Sequence, residues 1–173
     1  VNRRVSEQMQ MENQLRQAMA RDELRLVYQP QVDLGSGQLV SCEALLRWHN
    51  PQLGEVSPAV FIPVAEEAGL IEQVGAWVLH EACRQAREWL DAGLPPLRIA
   101  VNVSARQFSH CDLPAMTEQA LQHFHLPAAC LELELTESVL AEDYQQLQDT
   151  LQNLKALGIH LTMDDFGTGF SSL

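Results

Sequence analysis

Apolar and polar positions change their spacing several times along the chain. Five short segments carry the alternating or continuous apolar patterns of β-strands, at residues 24–30, 38–48, 97–104, 130–137 and 159–163. Longer segments between them carry helical patterns, at residues 61–93, 113–126 and 143–158. Strands that alternate with helices in this way predict β/α units and an α/β fold with a parallel sheet.

The first segment of the chain lacks glycine and proline and favours a helix. Val5, Met9, Leu15 and Met19 form part of an apolar stripe along it. We therefore predict a connecting helix at residues 1–23, ahead of a domain at 24–173. Because the sequence starts within this helix and without an initiator Met, we expect it to be part of a longer chain.

The formal net charge of −12 limits the possible partners. It argues against binding of DNA or RNA polymers, which favour a basic surface, and an anionic substrate would need carboxylates that hold divalent cations. No apolar run approaches the ~20 residues of a membrane helix, so we expect a cytoplasmic domain, with a membrane anchor upstream left open. The four cysteines lack zinc or disulfide spacing and are predicted to be buried thiols.

Polar residues cluster where the predicted strands end. They are Glu43, Asn102, Glu134, Glu137, Asp164 and Asp165. In a β/α barrel the carboxyl ends of the strands carry the active site, with side chains drawn from several strands. The recurrence over consecutive strands therefore indicates a constellation rather than isolated surface carboxylates.

The segment CLELELTE (130–137) predicts a strand with two different faces. Leucines occupy alternate positions and should face covering helices, whereas Glu132, Glu134 and Thr136 should face the barrel interior. A carboxylate inside a barrel needs a metal or a cationic partner. The alternative is an exposed edge strand with polar outward positions.

Asp164 and Asp165 are adjacent, so on a regular strand their side chains would point to opposite faces. They can serve one site only if the backbone bends, and Gly167 and Gly169 permit such a bend. One Asp could then bridge two cations ~3.5–4 Å apart, as in two-metal phosphoryl chemistry. The alternative is a solvated Asp-rich turn.

Six blocks in order resemble the EAL-domain cyclic di-GMP phosphodiesterases of bacteria. They are YQPQVDL (28–34), EALLRW (43–48), FIPVAEE (61–67), NVS (102–104), ELTES (134–138) and DDFGTGFSSL (164–173). The resemblance extends over roughly all of residues 24–173 and implies a TIM-type (β/α)8 barrel. It also implies metal-dependent hydrolysis, with two Mg²⁺ or Mn²⁺ ions, of one phosphodiester of cyclic di-GMP to linear pGpG.

Residue roles follow from the resemblance by matching position. It implies metal ligands at Glu43, Asn102, Glu134, Asp164 and Asp165, with Asp164 as the bridge. It implies catalytic roles for Glu43, Asp164, Asp165 and Glu137, with Glu137 holding the 164–169 loop. Substrate contacts are implied at Gln29, Leu45 and Arg47, with Arg47 on a phosphate. From the residues alone, a surface ion pair remains the alternative for Arg47.

The family pattern continues beyond the last block, whereas this sequence ends there. With about five predicted strands the barrel is expected to be incomplete, and little or no hydrolysis is expected from the chain alone, because its second metal site is incomplete. A cut piece, an omitted remainder and exchange between subunits all stay open as explanations.

Two other functions stay open, a catalytically inactive cyclic di-GMP receptor and a protein-interaction module. Each ligand position of the resemblance within this sequence carries the expected residue, which favours catalysis. The expected partners are cyclic di-GMP, a second copy through the barrel or the N-terminal helix, and an upstream GGDEF or sensor domain.

Overall fold

The computed structural model describes residues 2–163. Its helices are α1 (Asn2–Ala18), α2 (Pro58–Glu67), α3 (Ile71–Asp91), α4 (Ala105–His110), α5 (Leu113–His123) and α6 (Tyr144–Ala156). Its strands are β1 (Leu24–Val32), β2 (Leu39–Asn50), β3 (Gly54–Val56), β4 (Arg98–Val103), β5 (Leu131–Leu135) and β6 (His160–Met163). Short 3₁₀ turns at Ala128–Cys130 and Glu137–Ala141 flank β5.

All the strands belong to one sheet, in the order β1-β2-β4-β5-β6, with β3 paired to β2. Strands β2, β4, β5 and β6 are parallel, as predicted. The first strand differs, since β1 runs antiparallel to β2. The reason is the short turn between them, in which Asp33 accepts hydrogen bonds from the Gly35 N–H at 3.3 Å and the Ser36 hydroxyl at 2.8 Å. A turn of this length makes a hairpin and not a parallel crossover.

The loop predicted after β2 contains the additional short strand β3, so the sheet has six strands in place of about five. The Asn50 side-chain oxygen accepts the N–H groups of Gln52 and Leu53, each at 2.9 Å. Gly54 follows with φ of +72°, a conformation that glycine adopts without a steric cost. Together these residues reverse the chain within a few positions, and Val56 pairs with Trp48.

The two faces of the sheet differ in chemistry because neighbours along a strand point to opposite sides. The apolar face packs under α3, α5 and α6, and its buried members include Cys42, Ala44, Ile99, Val101, Val103, Leu131, Leu133 and Leu135. Burial of one such leucine side chain contributes about 2 kcal/mol. The opposite side, here called the polar face, carries Gln29, Glu43, Arg47, Arg98, Asn102, Glu132, Glu134 and Thr162.

Helix α1 packs against the rest of the molecule through its C-terminal half. Leu15 and Ala18 are buried in a second apolar cluster that also contains Leu46 and Trp48 of β2. Further towards the N-terminus, the Gln8 amide donates to a Glu67 carboxylate oxygen at 2.7 Å. The boundary at residue 23 stays a prediction. Within residues 2–163, no helix is both long and apolar enough to cross a membrane.

The four cysteines are free thiols, and Cys42, Cys83 and Cys130 are buried, in line with the prediction. Cys111 is only partly buried. Burial raises the pKa of Cys42 to about 11 and that of Cys83 to about 12. These thiols are therefore neutral apolar packing groups near neutral pH.

Candidate active site

The register of three parallel strands brings Glu43, Asn102 and Glu134 to one region of the polar face. Glu43 of β2 pairs with Ala100 of β4, and Asn102, two residues further along, pairs with Glu134 of β5. The Asn102 Nδ2 donates to Glu43 Oε2 at 3.1 Å, which joins the first two side chains directly. All three are half-buried. This juxtaposition supplies two carboxyl groups and one carboxamide from three strands.

Strand β5 shows the alternation that its sequence predicts. Leu131, Leu133 and Leu135 are at most 1% exposed on the apolar face, while Glu132 and Glu134 lie on the polar face. The strand is paired on both sides, with β4 and with β6. The alternative of an exposed edge strand is therefore wrong.

One layer below this region, Glu132 has its own cationic partner. Arg98 Nε lies 3.0 Å from Glu132 Oε1 without the alignment of a hydrogen bond, and the Thr162 hydroxyl donates to the other carboxylate oxygen at 3.3 Å. The sequence indicated that this carboxylate needs a metal or a cationic partner, but Arg98 was not predicted as that partner. The signal was available, because Arg98 lies four residues before Asn102 and so on the same face of β4.

The three implied substrate contacts also lie on the polar face. Gln29 of β1 is exposed and pairs with Glu43 across the hairpin. Leu45 and Arg47 follow Glu43 by two and four positions, are half-buried and extend towards the carboxyl end of β2. Arg47 Nη1 donates to the Leu46 carbonyl at 2.9 Å. No ion pair within residues 2–163 includes Arg47.

Glu137 opens the 3₁₀ turn that directly follows β5 and is exposed. Asp164 and Asp165, the implied bridge and second-ion ligand, lie outside the described residues. In the part of the chain that is described, no three His, Cys, Asp or Glu side chains form a group that could hold a metal ion. The described donor set is thus Glu43, Asn102 and Glu134, in which the middle donor is a carboxamide.

The model of the EAL domain matches residues 12–173. The chain belongs to the EAL-domain family. It is 47% identical, over its whole length, to the bifunctional diguanylate cyclase/cyclic di-GMP phosphodiesterase MucR of Pseudomonas aeruginosa, of which it covers 25%. It is 40% identical, also over its whole length, to the cyclic di-GMP phosphodiesterase PdeR of Escherichia coli, of which it covers 26%.

The solved structure of the PaMucR phosphodiesterase in complex with c-di-GMP resembles the chain with a TM-score of 0.86 and 47% identity, over 94% of this chain and 66% of that one. The described EAL residues therefore form a partial TIM-type barrel, as the resemblance implied. The chain spans about a quarter of the curated relatives it matches.

Proposed function

We propose that this EAL domain is the catalytic part of a phosphodiesterase that hydrolyses one phosphodiester of cyclic di-GMP to linear pGpG. One observation carries the proposal: Glu43, Asn102 and Glu134 come together from three parallel strands on the polar face. Family membership supports it, since relatives are named cyclic di-GMP phosphodiesterases and a structural relative is titled as a c-di-GMP complex.

The donor chemistry of the site fits Mg²⁺ or Mn²⁺. Carboxylate and carboxamide oxygens are hard ligands that these cations favour, and no thiol or imidazole belongs to the described set. Glu43, Asn102 and Glu134 would hold one ion together with Asp164, and Asp165 would hold a second ion. When bound, the ions would polarise the phosphoryl oxygens and lower the pKa of a water near the phosphorus.

The remaining residues of the proposal act on the substrate and on the catalytic loop. Arg47 would bind a phosphate through two N–H groups of its guanidinium, which also counters the acidic surroundings. Gln29 and Leu45 lie on either side of Glu43 on the polar face and would contact the nucleotide. Glu137 would hold the 164–169 loop in its working conformation. The proposed reaction thus needs the residues of β1, β2, β4 and β5 in their observed register.

The test is a hydrolysis assay of cyclic di-GMP with Mg²⁺ or Mn²⁺, alongside calorimetric titration in Ca²⁺, for a chain that contains all the barrel strands and for its Glu43→Ala variant. Turnover to pGpG that disappears in Glu43→Ala supports the proposal. Binding without turnover in a chain that contains all the barrel strands would favour the receptor alternative. Absence of both binding and turnover in that longer chain would contradict the proposal and favour an interaction module.

We further propose that the domain works in the cytoplasm as a homodimer, joined through the barrel or α1, and downstream of a GGDEF or sensor domain. The named relatives are about four times longer than this chain, which leaves room in them for other domains. Analytical ultracentrifugation with and without residues 1–23 tests the α1 part of this proposal. If the shortened chain keeps the same oligomeric state, α1 is excluded as the dimer contact.

A further inference from the structure

Glu23 is a buried carboxyl group for which the proposed chemistry has no role. It lies in the corner between α1 and β1 and is 9% exposed. Its Oε1 accepts two hydrogen bonds, from Trp48 Nε1 at 3.0 Å and from Asn50 Nδ2 at 2.9 Å. No ion pair in the described part of the chain includes Glu23. Its described side-chain partners are therefore neutral donors on β2.

The same hydrogen bonds connect β2 to α1. Asn50 is fully buried, and its Nδ2 also donates to Gln14 Oε1 of α1 at 3.1 Å. The backbone adds a further connection, because the His49 N–H donates to the Glu23 carbonyl at 3.1 Å. We call Gln14, Glu23, Trp48 and Asn50 the corner network. It joins the last turns of α1 to the carboxyl end of β2.

On β2, the residue directly after Arg47 is Trp48, a member of the corner network. Trp48 is fully buried, and its indole packs edge-on against Phe61 of α2, with ring centroids 5.5 Å apart. Leu46, on the other side of Arg47, is 8% exposed in the same apolar cluster. Because both neighbours are anchored on the opposite face, the backbone position of Arg47 follows directly from where Trp48 is held.

We propose that Glu23 is a positioning residue for Arg47, and that Gln14 couples α1 to the same strand end. The inference rests on the proposed function, in which Arg47 binds a phosphate of cyclic di-GMP. Loss of the Glu23 oxygen would release Trp48 and Asn50 together. A displacement of α1 would be transmitted to β2 directly by the same contacts, without first moving the other strands of the sheet.

The experiment compares Glu23→Gln with Glu23→Ala in the full chain. Both described hydrogen bonds use one oxygen, so glutamine keeps them while alanine removes them. The readouts are the dissociation constant of cyclic di-GMP in Ca²⁺ and the ¹⁵N–¹H resonance of the Trp48 indole, assigned with Trp48→Phe. We expect Glu23→Ala to weaken binding about tenfold, because a displaced Arg47 would lose about one hydrogen bond to a charged phosphate. Glu23→Gln should stay within about twofold of the natural chain.

A matched control separates positioning from a general loss of stability. Leu154 is fully buried on α6, outside the corner network, so Leu154→Ala should destabilise the fold and leave cyclic di-GMP affinity within about twofold. Gln14→Ala changes a half-buried residue and keeps the experiment decisive if Glu23→Ala does not fold. It removes the hydrogen bond from Asn50 together with those that Gln14 makes with Gln52 and Arg21. Because the Glu23 contacts stay in place, we expect it to weaken binding only roughly threefold.

Three results would overturn the inference. In the first, the Glu23→Ala chain folds and loses the natural Trp48 indole shift, yet it binds cyclic di-GMP with the natural affinity. That result would show that Arg47 does not depend on the corner network. Equal losses in Glu23→Gln and Glu23→Ala would assign the effect to charge and not to position. Absence of binding by a chain that contains all the barrel strands would defeat the proposed function itself, and is distinguishable because the indole resonance still reports the network.

Discussion

Glu132 and Glu134 lie on the same strand and the same face, about 7 Å apart along β5, yet they have different surroundings. Glu132 is buried beside Arg98 and accepts a hydrogen bond from Thr162. Glu134 is half-buried and stands next to Asn102 in register, which in turn is bonded to Glu43. The lower layer balances its charge within the chain, whereas the upper layer gathers the oxygen donors of the proposed cation site.

The comparison shows that charge inside this partial barrel is arranged layer by layer. A carboxylate with a fixed guanidinium partner contributes to the fold, because removal of either group leaves the other without compensation. Carboxyl groups gathered around a carboxamide serve the proposed chemistry. Glu132 and Glu134 are two positions apart on β5, so matched substitutions at these positions can test the structural and the proposed chemical role independently.

The largest expected effect comes from Glu134→Gln, with Glu132→Gln as its matched control. Glutamine keeps the volume of the side chain but removes the anionic oxygen that the proposed metal site needs. In a chain that contains all the barrel strands, we expect Glu134→Gln to lower hydrolysis of cyclic di-GMP more than about 100-fold, because loss of a proposed ligand should exceed the roughly 10- to 100-fold loss caused by replacing a residue that only supports a ligand. Glu132→Gln should stay within about threefold, since it lies outside the proposed site. Equal losses in the two variants would remove the functional difference between the layers.

The next effect concerns the opposite face of β5. Leu133 lies between the two glutamates in sequence and is 0% exposed in the apolar core. Leu133→Ala should lower the free energy of unfolding by about 3 kcal/mol, through lost burial and the cavity left behind. Urea denaturation measures this value, and Leu140→Ala, at an exposed position, provides the control. A loss below about 1 kcal/mol would contradict the assigned burial.

Removal of the lower-layer anion should reduce stability more than activity. We expect Glu132→Ala to lower the free energy of unfolding by about 2 kcal/mol, between the values for buried and exposed ion pairs, because the Arg98 side chain is 37% exposed. The measurement is a double-mutant cycle with Arg98→Ala in urea. Additive losses in the cycle would show that the two side chains do not interact.

A smaller effect tests how closely α3 approaches α4. Gly75 of α3 lies against buried Gln107 of α4, and a Cβ at residue 75 would overlap the Gln107 side-chain amide. Gly75→Ala should therefore cost about 1 kcal/mol of unfolding free energy by overpacking. Gln107→Ala in the same chain should restore part of that loss, as thermal unfolding can show. Without such recovery, the contact with Gln107 would not be the source of the loss.

The smallest effect concerns Cys42, on the apolar face of the strand that carries Glu43. Its pKa rises from 9.0 to about 11 through burial, so the native thiol stays protonated at pH values where the unfolded thiol ionises. The contribution of the Cys42 thiol to the free energy of unfolding is fully present below pH 9 and declines as the pH rises towards 11. The measurement is urea unfolding of the natural chain and Cys42→Ala between pH 8 and about 10.5. Parallel pH profiles would contradict the raised pKa.

Much of the fold was predictable because its signals are local. Alternation within β5 assigned its two faces correctly, and the order of strands and helices indicated parallel pairing for β2, β4, β5 and β6. The antiparallel β1 and the short β3 were missed. Both depend on turn chemistry, at Asp33 and at Asn50, where a few side-chain hydrogen bonds reverse the chain. Such bonds have no periodic pattern in the sequence.

The candidate site divides in the same way. Residue type and position in the predicted strands singled out Glu43, Asn102 and Glu134. Asn102 and Glu134 each lie one residue before the end of a strand, whereas Glu43 lies inside β2, seven residues before its end. Their contact was not predictable from spacing alone, because it requires the register between β2, β4 and β5. Glu23 was missed for the same reason, since its partners on β2 are distant in sequence. For Arg98 the sequence indicated the face of β4, but only the register identified Glu132 as its partner. The placement of Asp164 and Asp165 stays a prediction.

By itself, the sequence determined which residues are buried on β5, which elements alternate and which side chains are chemically suited to a metal and a phosphate. Those properties follow from periodicity and residue type, which act over a few neighbouring positions. Only the tertiary structure decided that Glu132 forms an ion pair with Arg98, that Asn102 donates a hydrogen bond to Glu43, and that Glu23 accepts one from Trp48 near the end of β2. Each of these contacts joins residues at least 25 positions apart, and such pairs meet only when strand register and helix packing are in place.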